Sequence, residues 1–392
     1  MRNIIKIIVS LLLKCMLVFH KEKPTIRASF IKNILVVQTG GIGDILRIFP
    51  ALETLFENFP EASISILAFP HATKAFQLFP RKQHISEIIR YDPEGIHKSF
   101  MKRIALILFL RKKKYDLVYV PARGKGTNGT LIMVYLTGSP HRIGFDGDGG
   151  AGFLNTVRLS FKRDIPITEQ NILLLEAAGL KIKNKGIRLS IPEEDMNFAE
   201  HLTGKGSSSF LISVHPGAMW NTSYRCWPIE NYLLLIKTLI NELQARVVIL
   251  GGKEENDERF TRSIHSSDLI DVIGKVTLPQ LAAIIKVSDI FIGNDSGPLH
   301  IAEAAGTPYI GIFGHTIPRQ VLSCPPGPLR IRLLGKLSCS NNCYTHHGAF
   351  NPACKDIRCR SLDTISVDEV LDTVNRLVTT IRKEGVSLAD RN

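Results

Sequence analysis

Short apolar runs alternate with stretches of helical periodicity along nearly the whole chain, and this alternation limits the fold more than any other feature. "NILVVQT" reads as a strand and leads through "GGIGD" into a segment where Leu46, Phe49, Leu52, Phe56 and Phe59 recur at three- and four-residue steps. That is the spacing of one helix face. "SISILAF", "DLVYVP" and "HRIGFD" read as further strands, and "ITEQNILLLEAAGL" as a helix capped by Thr168 with Glu169 beside it. The glycine-rich "DGDGGAGF" is expected to be a mobile loop. Around "TGKGSSSF" the composition turns small and polar, which suggests a linker. The alternation restarts with "FLISVHPG", "ARVVILGG", "IDVIG", "DIFIGND" and "PYIGIFG". Such a pattern is the signature of parallel sheets covered by helices, an α/β fold. Two similar halves predict two Rossmann-like domains, 25–203 and 204–392, with ligand between the carboxyl ends of their strands.

A chain of 392 residues with 44% hydrophobic content can bury two ordinary cores. Its net charge of +13 is uneven. Residues 1–32 carry Arg2, Lys6, Lys14, Lys21, Lys23, Arg27 and Lys32 against Glu22 alone, seven minus one, and "RKKK" at 111–114 adds a second cationic patch. An acidic partner is implied: anionic lipid, a phosphorylated glycan or nucleic acid. No basic motif interleaved with aromatics is present, which argues against nucleic acid. In 1–24, Lys6, Ser10, Lys14 and Lys21 form a narrow polar stripe on an otherwise apolar helix. The segment reads as a membrane-surface anchor. A spanning helix is the alternative, weakened because the uninterrupted apolar length falls short of about 20 residues; a helix packed on the protein body is another. No small-residue cleavage site follows it. The seven cysteines are an odd number and read as reduced, cytosolic thiols.

Three turns carry the candidate chemistry. In "TGGIGD", Gly41 and Gly43 allow a tight turn and close approach to an acceptor-side ligand, while Asp44 is either a helix cap or a general base for an acceptor hydroxyl. The pattern is not GxGxxG, and "LAFP" offers no acid for a ribose, so a dinucleotide reading is weak. In "VHPGAMWNTSYRCWP", Gly217 opens the turn, Asn221, Thr222 and Ser223 supply donors, and Arg225 offers a planar cation suited to a diphosphate or, alternatively, to stacking on Trp227. In "NDSGPLHIAEAAGTPYIGIFG", Asp295 and Ser296 are N-cap types, Gly297 permits close approach, and Pro298 suits the first helical turn. The helix start would present N–H groups to nucleotide phosphates. An ordinary capped helix accounts for Asp295 and Ser296 but leaves Gly297, Pro298 and His300 in one turn unexplained.

"ILVVQTGGIGDILRIFPAL", "HRIGFD", "HPGA…RCWP" and "NDSGPLHIAEAAGTPYIGIFGHTIP", in that order, resemble glycosyltransferase family 9, the lipopolysaccharide heptosyltransferases. The resemblance runs from about residue 32 to 380. It implies a GT-B fold with an N-terminal acceptor domain and a C-terminal nucleotide-sugar domain, two Rossmann-like domains facing across a cleft. It also implies inverting transfer, typically of heptose from ADP-heptose, without a catalytic metal. By position, Asp44 matches the family's general base and Arg225 a basic residue on the donor diphosphate. Asp295, Ser296, Gly297 and His300 match the donor turn, and Glu254 or Asp257 fall where the ribose or base would be reached. The acceptor is expected to be a lipid-linked or lipopolysaccharide-core glycan at the cytoplasmic face of a bacterial inner membrane. A GT-B nucleotide-sugar epimerase and a non-catalytic nucleotide-binding scaffold are the alternatives. Outside the family pattern stand the basic leader and the 339–359 loop, where Cys339, Cys343, Cys354 and Cys359 form either a structural Zn or Fe site or a set of free or paired thiols.

Overall fold

The computed structural model describes residues 26–121, 128–146, 151–162, 164–204, 210–217, 225–255, 259–337 and 359–384. The N-terminal 1–24 segment, half of the "DGDGGAGF" loop (147–150) and the small-polar stretch after Gly204 therefore lie outside the described residues. The chain divides into two compact units, one of 1–73 and 81–187, the other of 74–80 and 188–392.

The first unit is built on six parallel strands: β1 (Asn33–Gln38), β2 (Ser63–Ala68), β3 (Ile85–Arg90), β4 (Leu117–Tyr119), β5 (His141–Phe145) and β6 (Val157–Leu159). Their order is β3-β2-β1-β4-β5-β6, the doubly wound arrangement. Five of the six residues of β1 are buried, because a central parallel strand is covered on both faces and must read as a continuous apolar run. From β1 the chain enters the short helix α1 (Ile42–Leu46) and then α2 (Phe49–Asn58). Further along, α3 (Phe100–Lys112) joins β3 to β4, and α4 (Ile167–Ala177) follows β6. The N-cap of α4 is Pro166, so Thr168 is not the cap expected from the sequence but a buried first-turn residue. Pro166, with φ −53° and ψ 139°, is the non-helical residue, two before Thr168, that sets the helix start.

The second unit opens with α5 (Glu193–Thr203), which packs on a later helix of the same unit, so the unit boundary falls earlier in the chain than the polar stretch after Thr203. Next come β7 (Leu211–His215), α6 (Ile229–Asn241), β8 (Arg246–Ile249), β9 (Leu269–Asp271), α7 (Leu278–Val287), β10 (Ile290–Asn294), α8 (Gly297–Ala305), β11 (Tyr309–Phe313), β12 (Arg330–Leu334) and α9 (Val367–Glu384). The strands are again all parallel, ordered β12-β11-β10-β7-β8-β9. Counted from its own first strand, this repeats the order of the first sheet. Helix α7 is the partner of α5, and Thr277 and Gln280 cap it reciprocally: Gln280 N donates to Thr277 Oγ1 at 3.3 Å, and Thr277 N to Gln280 Oε1 at 2.9 Å. Beneath the helices lies one apolar core containing Ile212, Val214, Trp227, Leu235, Ile292 and Val370.

Three strands have no counterpart among the apolar runs read from the sequence: β3, β6 and β12. Each sits at a sheet edge. Edge strands face solvent on one side and carry polar residues there, as "ISEIIR", "VRL" and "RIRLL" do.

Candidate functional site

In doubly wound sheets a ligand is expected at the carboxyl ends of the strands where the winding direction reverses. That point lies between β1 and β4 in the first unit and between β7 and β10 in the second. All three candidate turns identified in the sequence leave the sheets at these places, after β1, β7 and β10.

In the first unit, β1 ends at Gln38 and the chain folds back through Gly40. A Cβ on Gly40 would come within 2.4 Å of the Asp44 carboxyl, so only glycine lets that side chain lie over the turn. Asp44 Oδ2 accepts from Gly41 N at 2.8 Å, and its Oδ1 receives Arg47 Nη2 at 2.5 Å. Gln38 Nε2 donates to the Asp44 carbonyl at 2.7 Å. Arg47 is buried, whereas the Asp44 side chain keeps 27% of its surface exposed. The carboxylate therefore both closes the first turn of α1 and remains open to a small group from outside. Gly41 is the N-cap of α1, and Gly43 is buried inside the helix.

In the second unit, His215 at the end of β7 and Asn294 at the end of β10 stand side by side, since Gly293 pairs with His215. Asn294 ties the local chain together. Its Oδ1 accepts from Trp227 N and Tyr232 OH, each at 3.0 Å, and its Nδ2 donates to the carbonyls of Pro216 and Gly217 at 2.8 and 3.2 Å. Trp227 packs edge-on against Tyr232 with ring centroids 5.0 Å apart, so the indole is committed to the core. This leaves Arg225, two residues earlier, to reach Asp295: its Nη1 lies 3.8 Å from Asp295 Oδ2. On the other carboxylate oxygen, His300 Nε2 lies at 3.7 Å. Burial alone would raise the Asp295 pKa, but His300, the Arg225 charge and Thr316 outweigh it and hold the carboxyl well below its ordinary range. Asp295 is thus a buried anion between two basic side chains.

Helix α8 starts without a side-chain cap. Ser296 occupies the N-cap position in extended conformation, yet its Oγ lies 3.1 Å from His215 Nδ1 and 3.2 Å from the Asn294 carbonyl. Asp295 is engaged as above. The two residues that read as caps are drawn away by tertiary partners, and Ser296 leaves the first-turn N–H groups without a side-chain cap bond. His215 Nε2 meets Glu255 Oε2 at 3.2 Å, and that oxygen also accepts from Gly252 N at 2.7 Å. Burial pushes the Glu255 pKa up, and the His215 and Gly252 contacts more than reverse this, so the carboxyl titrates below its usual value. A Cβ on Gly217 would fall 2.5 Å from Glu255 Oε1, so a larger residue there would displace that carboxylate. His315 is also buried; desolvation, reinforced by the Arg225 charge, lowers its pKa to about 4 and keeps the imidazole neutral.

The structure thus brings Arg225, Asp295, Ser296, Gly297, Pro298, His300 and Gly217 into one neighbourhood. Asn221, Thr222, Ser223 and Asp257 lie outside the described residues. Glu254 is exposed in its turn, and the carboxylate bonded there belongs to Glu255, one residue on. Sequence reasoning passed over His215, Glu255, Asn294 and His315, although His215 stands in the quoted "VHPG" and His315 in "FGHT". Of the cysteine cluster only Cys359 is described, and its thiol sits in the apolar core, where a Cβ on Gly314 would lie 2.8 Å from it. Among the described residues no group of three or more His, Cys, Asp or Glu is gathered for a metal ion. None of their helices is long and apolar enough to cross a membrane.

A model of a protein family described as glycosyltransferase family 9 (heptosyltransferase) matches residues 103–344. Lipopolysaccharide heptosyltransferase 2 of Escherichia coli (strain K12) is 25% identical over 300 residues, 73% of this chain and 84% of that protein. Among solved structures, a glycosyl transferase family 9 protein from Veillonella parvula DSM 2008 superposes with a TM-score of 0.71 at 20% identity, over 89% of this chain and 98% of that one. The E. coli ADP-heptose lps heptosyltransferase II does so with a TM-score of 0.64 at 21% identity, over 89% and 99%. Two parallel six-stranded sheets in one chain agree with the GT-B architecture of these heptosyltransferase structures.

Proposed function

Since the chain belongs to glycosyltransferase family 9, and is therefore a glycosyltransferase, we propose that it moves a heptose with inversion from ADP-heptose to a lipid-linked or lipopolysaccharide-core acceptor. The names of the similar proteins support this donor and this acceptor. The setting would be the cytoplasmic face of a bacterial inner membrane, where such an acceptor is reached.

One observation carries the donor half of the proposal: α8 begins with its N–H groups unclaimed by Ser296 or Asp295, next to Arg225. A helix start of this kind attracts phosphate through its free donors and its dipole. In the proposed reaction Arg225 and these N–H groups take up the charge that grows on the leaving diphosphate, in place of a catalytic metal. Asp295 does not face the donor as a ligand; its ionised carboxyl orients Arg225 and His300. On the acceptor side Asp44 is the proposed base. The acceptor hydroxyl attacks the anomeric carbon from the face opposite the diphosphate and gives its proton to Asp44. The bond from that carbon to the phosphate oxygen breaks and ADP departs. Arg47 and Gly41 N fix the carboxylate's orientation for this step.

The test is to incubate the purified chain with ADP-heptose and a heptose-deficient core acceptor and to follow both by mass spectrometry. The acceptor should gain one heptose as ADP appears, and Asp44→Asn should lose the activity. Conversion of the donor to an isomeric sugar nucleotide without acceptor would replace transfer by epimerisation. Tight donor binding with no turnover would indicate a scaffold.

A further inference from the structure

Helix α3 is apolar on both sides. Leu106 and Leu110 are buried in the core of the first unit. On the opposite side Met101, Ala105 and Leu108 follow one another at steps of four and three, and all are exposed, Met101 by 69% and Leu108 by 54%. Phe109, Phe100 and Ile96 widen the patch, the last two exposed by 75% and 68%. A helix with one core-facing side normally turns polar residues outward. A contiguous exposed apolar patch marks an interaction surface.

The charge around this patch identifies what it meets. Residues 96–114 contain Lys98, Lys102, Arg103, Arg111, Lys112, Lys113 and Lys114 and no acid, seven minus none, more than half of the chain's +13. Lys113 is held by Glu87 at 2.9 Å and sits 5.0 Å over the Phe109 ring. Arg103 Nε donates to the His97 carbonyl at 2.6 Å, and Arg111 Nη1 to the Leu136 carbonyl at 3.3 Å. Lys98, Lys102, Lys112 and Lys114 are exposed, with no acidic partner among the described residues. Lys102 and Arg103 stand in the first turn of α3, where the helix dipole disfavours cations, and Ser99 gives no side-chain cap to offset this. Charge placed against the helix's own preference serves something outside the helix.

We propose that the outward face of α3 is a docking surface for an anionic lipid layer. Met101, Leu108 and Phe109 would enter the boundary between headgroups and acyl chains, while the lysines extend along it to reach lipid phosphates. A nucleic acid would satisfy the cations but leave the aliphatic residues in water, whereas a lipid surface satisfies both. The inference does not depend on the sugar-transfer reading, since it needs neither donor nor acceptor, and its test can fail or succeed separately. It also differs from anchoring by residues 1–24, because the surface belongs to the folded unit.

The experiment uses the full chain and vesicles of phosphatidylcholine with or without phosphatidylglycerol, measured by cosedimentation. The chain should bind the anionic vesicles and lose binding as salt rises. Met101→Asp combined with Leu108→Asp should weaken binding by about tenfold or more, because charge at the boundary is costly. Both positions are exposed, so the variant should keep its thermal midpoint. A Leu108→Trp chain gives a local readout: the introduced indole should shift to the blue and be quenched by brominated-chain lipid, above the level of the unaltered chain. Binding in which that indole stays unquenched would place contact elsewhere and overturn the proposal. So would the absence of binding to anionic vesicles, or dissociation of a dimer by the paired aspartates, which would make this face a contact between copies.

Discussion

Replacing Arg225 by Gln removes the one permanent cation that the described structure places beside the start of α8. A charge-assisted hydrogen bond to an ionised partner contributes about 1.5–3 kcal/mol, which corresponds to a loss of about 10- to 150-fold in affinity for ADP. Adenosine, which lacks the phosphates, should bind Arg225→Gln as it binds the parent chain, so the pair of ligands isolates the charge. Folding should suffer less than for a fully buried ion pair, where removing one partner costs about 3–5 kcal/mol, because the Arg225 side chain is 28% exposed and Asp295 retains His300. Desolvation is the larger of the causes that lower the His315 pKa and the Arg225 charge the smaller, so His315 should rise only in part in Arg225→Gln. Unchanged ADP affinity, or an equal loss for adenosine, would refute the assignment of Arg225 to the diphosphate.

Asp44→Asn should lower kcat by about 10²- to 10⁴-fold while leaving ADP-heptose binding intact, since it removes a proton acceptor and not a donor contact; steady-state kinetics checks this. Asn294→Leu should destabilise the chain by about 3 kcal/mol or more, because it strands the Trp227 N–H, the Tyr232 hydroxyl and two carbonyls in a buried site; urea denaturation measures it. His315 is depressed in the fold from 6.5 to about 4, so the unfolded chain binds a proton between those values that the native chain does not. The sign is therefore that stability is full above about pH 6.5 and falls as the pH drops towards 4, by at most about 3 kcal/mol. His315→Gln should show a flatter profile over that window.

Central strands were the most legible elements, and the reason is their burial. "NILVVQ" and "IFIGN" are enclosed on both faces and so must be written in apolar residues. The edge strands β3, β6 and β12 are not enclosed, and no linear pattern marks them. The turn after β10 was legible as a helix start with unusual residues, but its detail was not. Cap preference assigns Asp295 and Ser296 to α8, whereas His215 and Arg225, from other parts of the second unit, and His300, from α8 itself, draw both side chains elsewhere. The bond between Glu255 and His215 was not legible, because it joins residues 40 positions apart in the chain. For Asp44 the structure shows the capping reading, and the side chain stays partly open.

The most direct measurement is a crystal structure of the chain with ADP-heptose bound. The diphosphate should lie against the first-turn N–H groups of α8, within hydrogen-bonding distance of Arg225, with Asp295 still held between Arg225 and His300. A diphosphate seated away from the start of α8, with Arg225 turned from it, would contradict the reading of this helix end as the donor site.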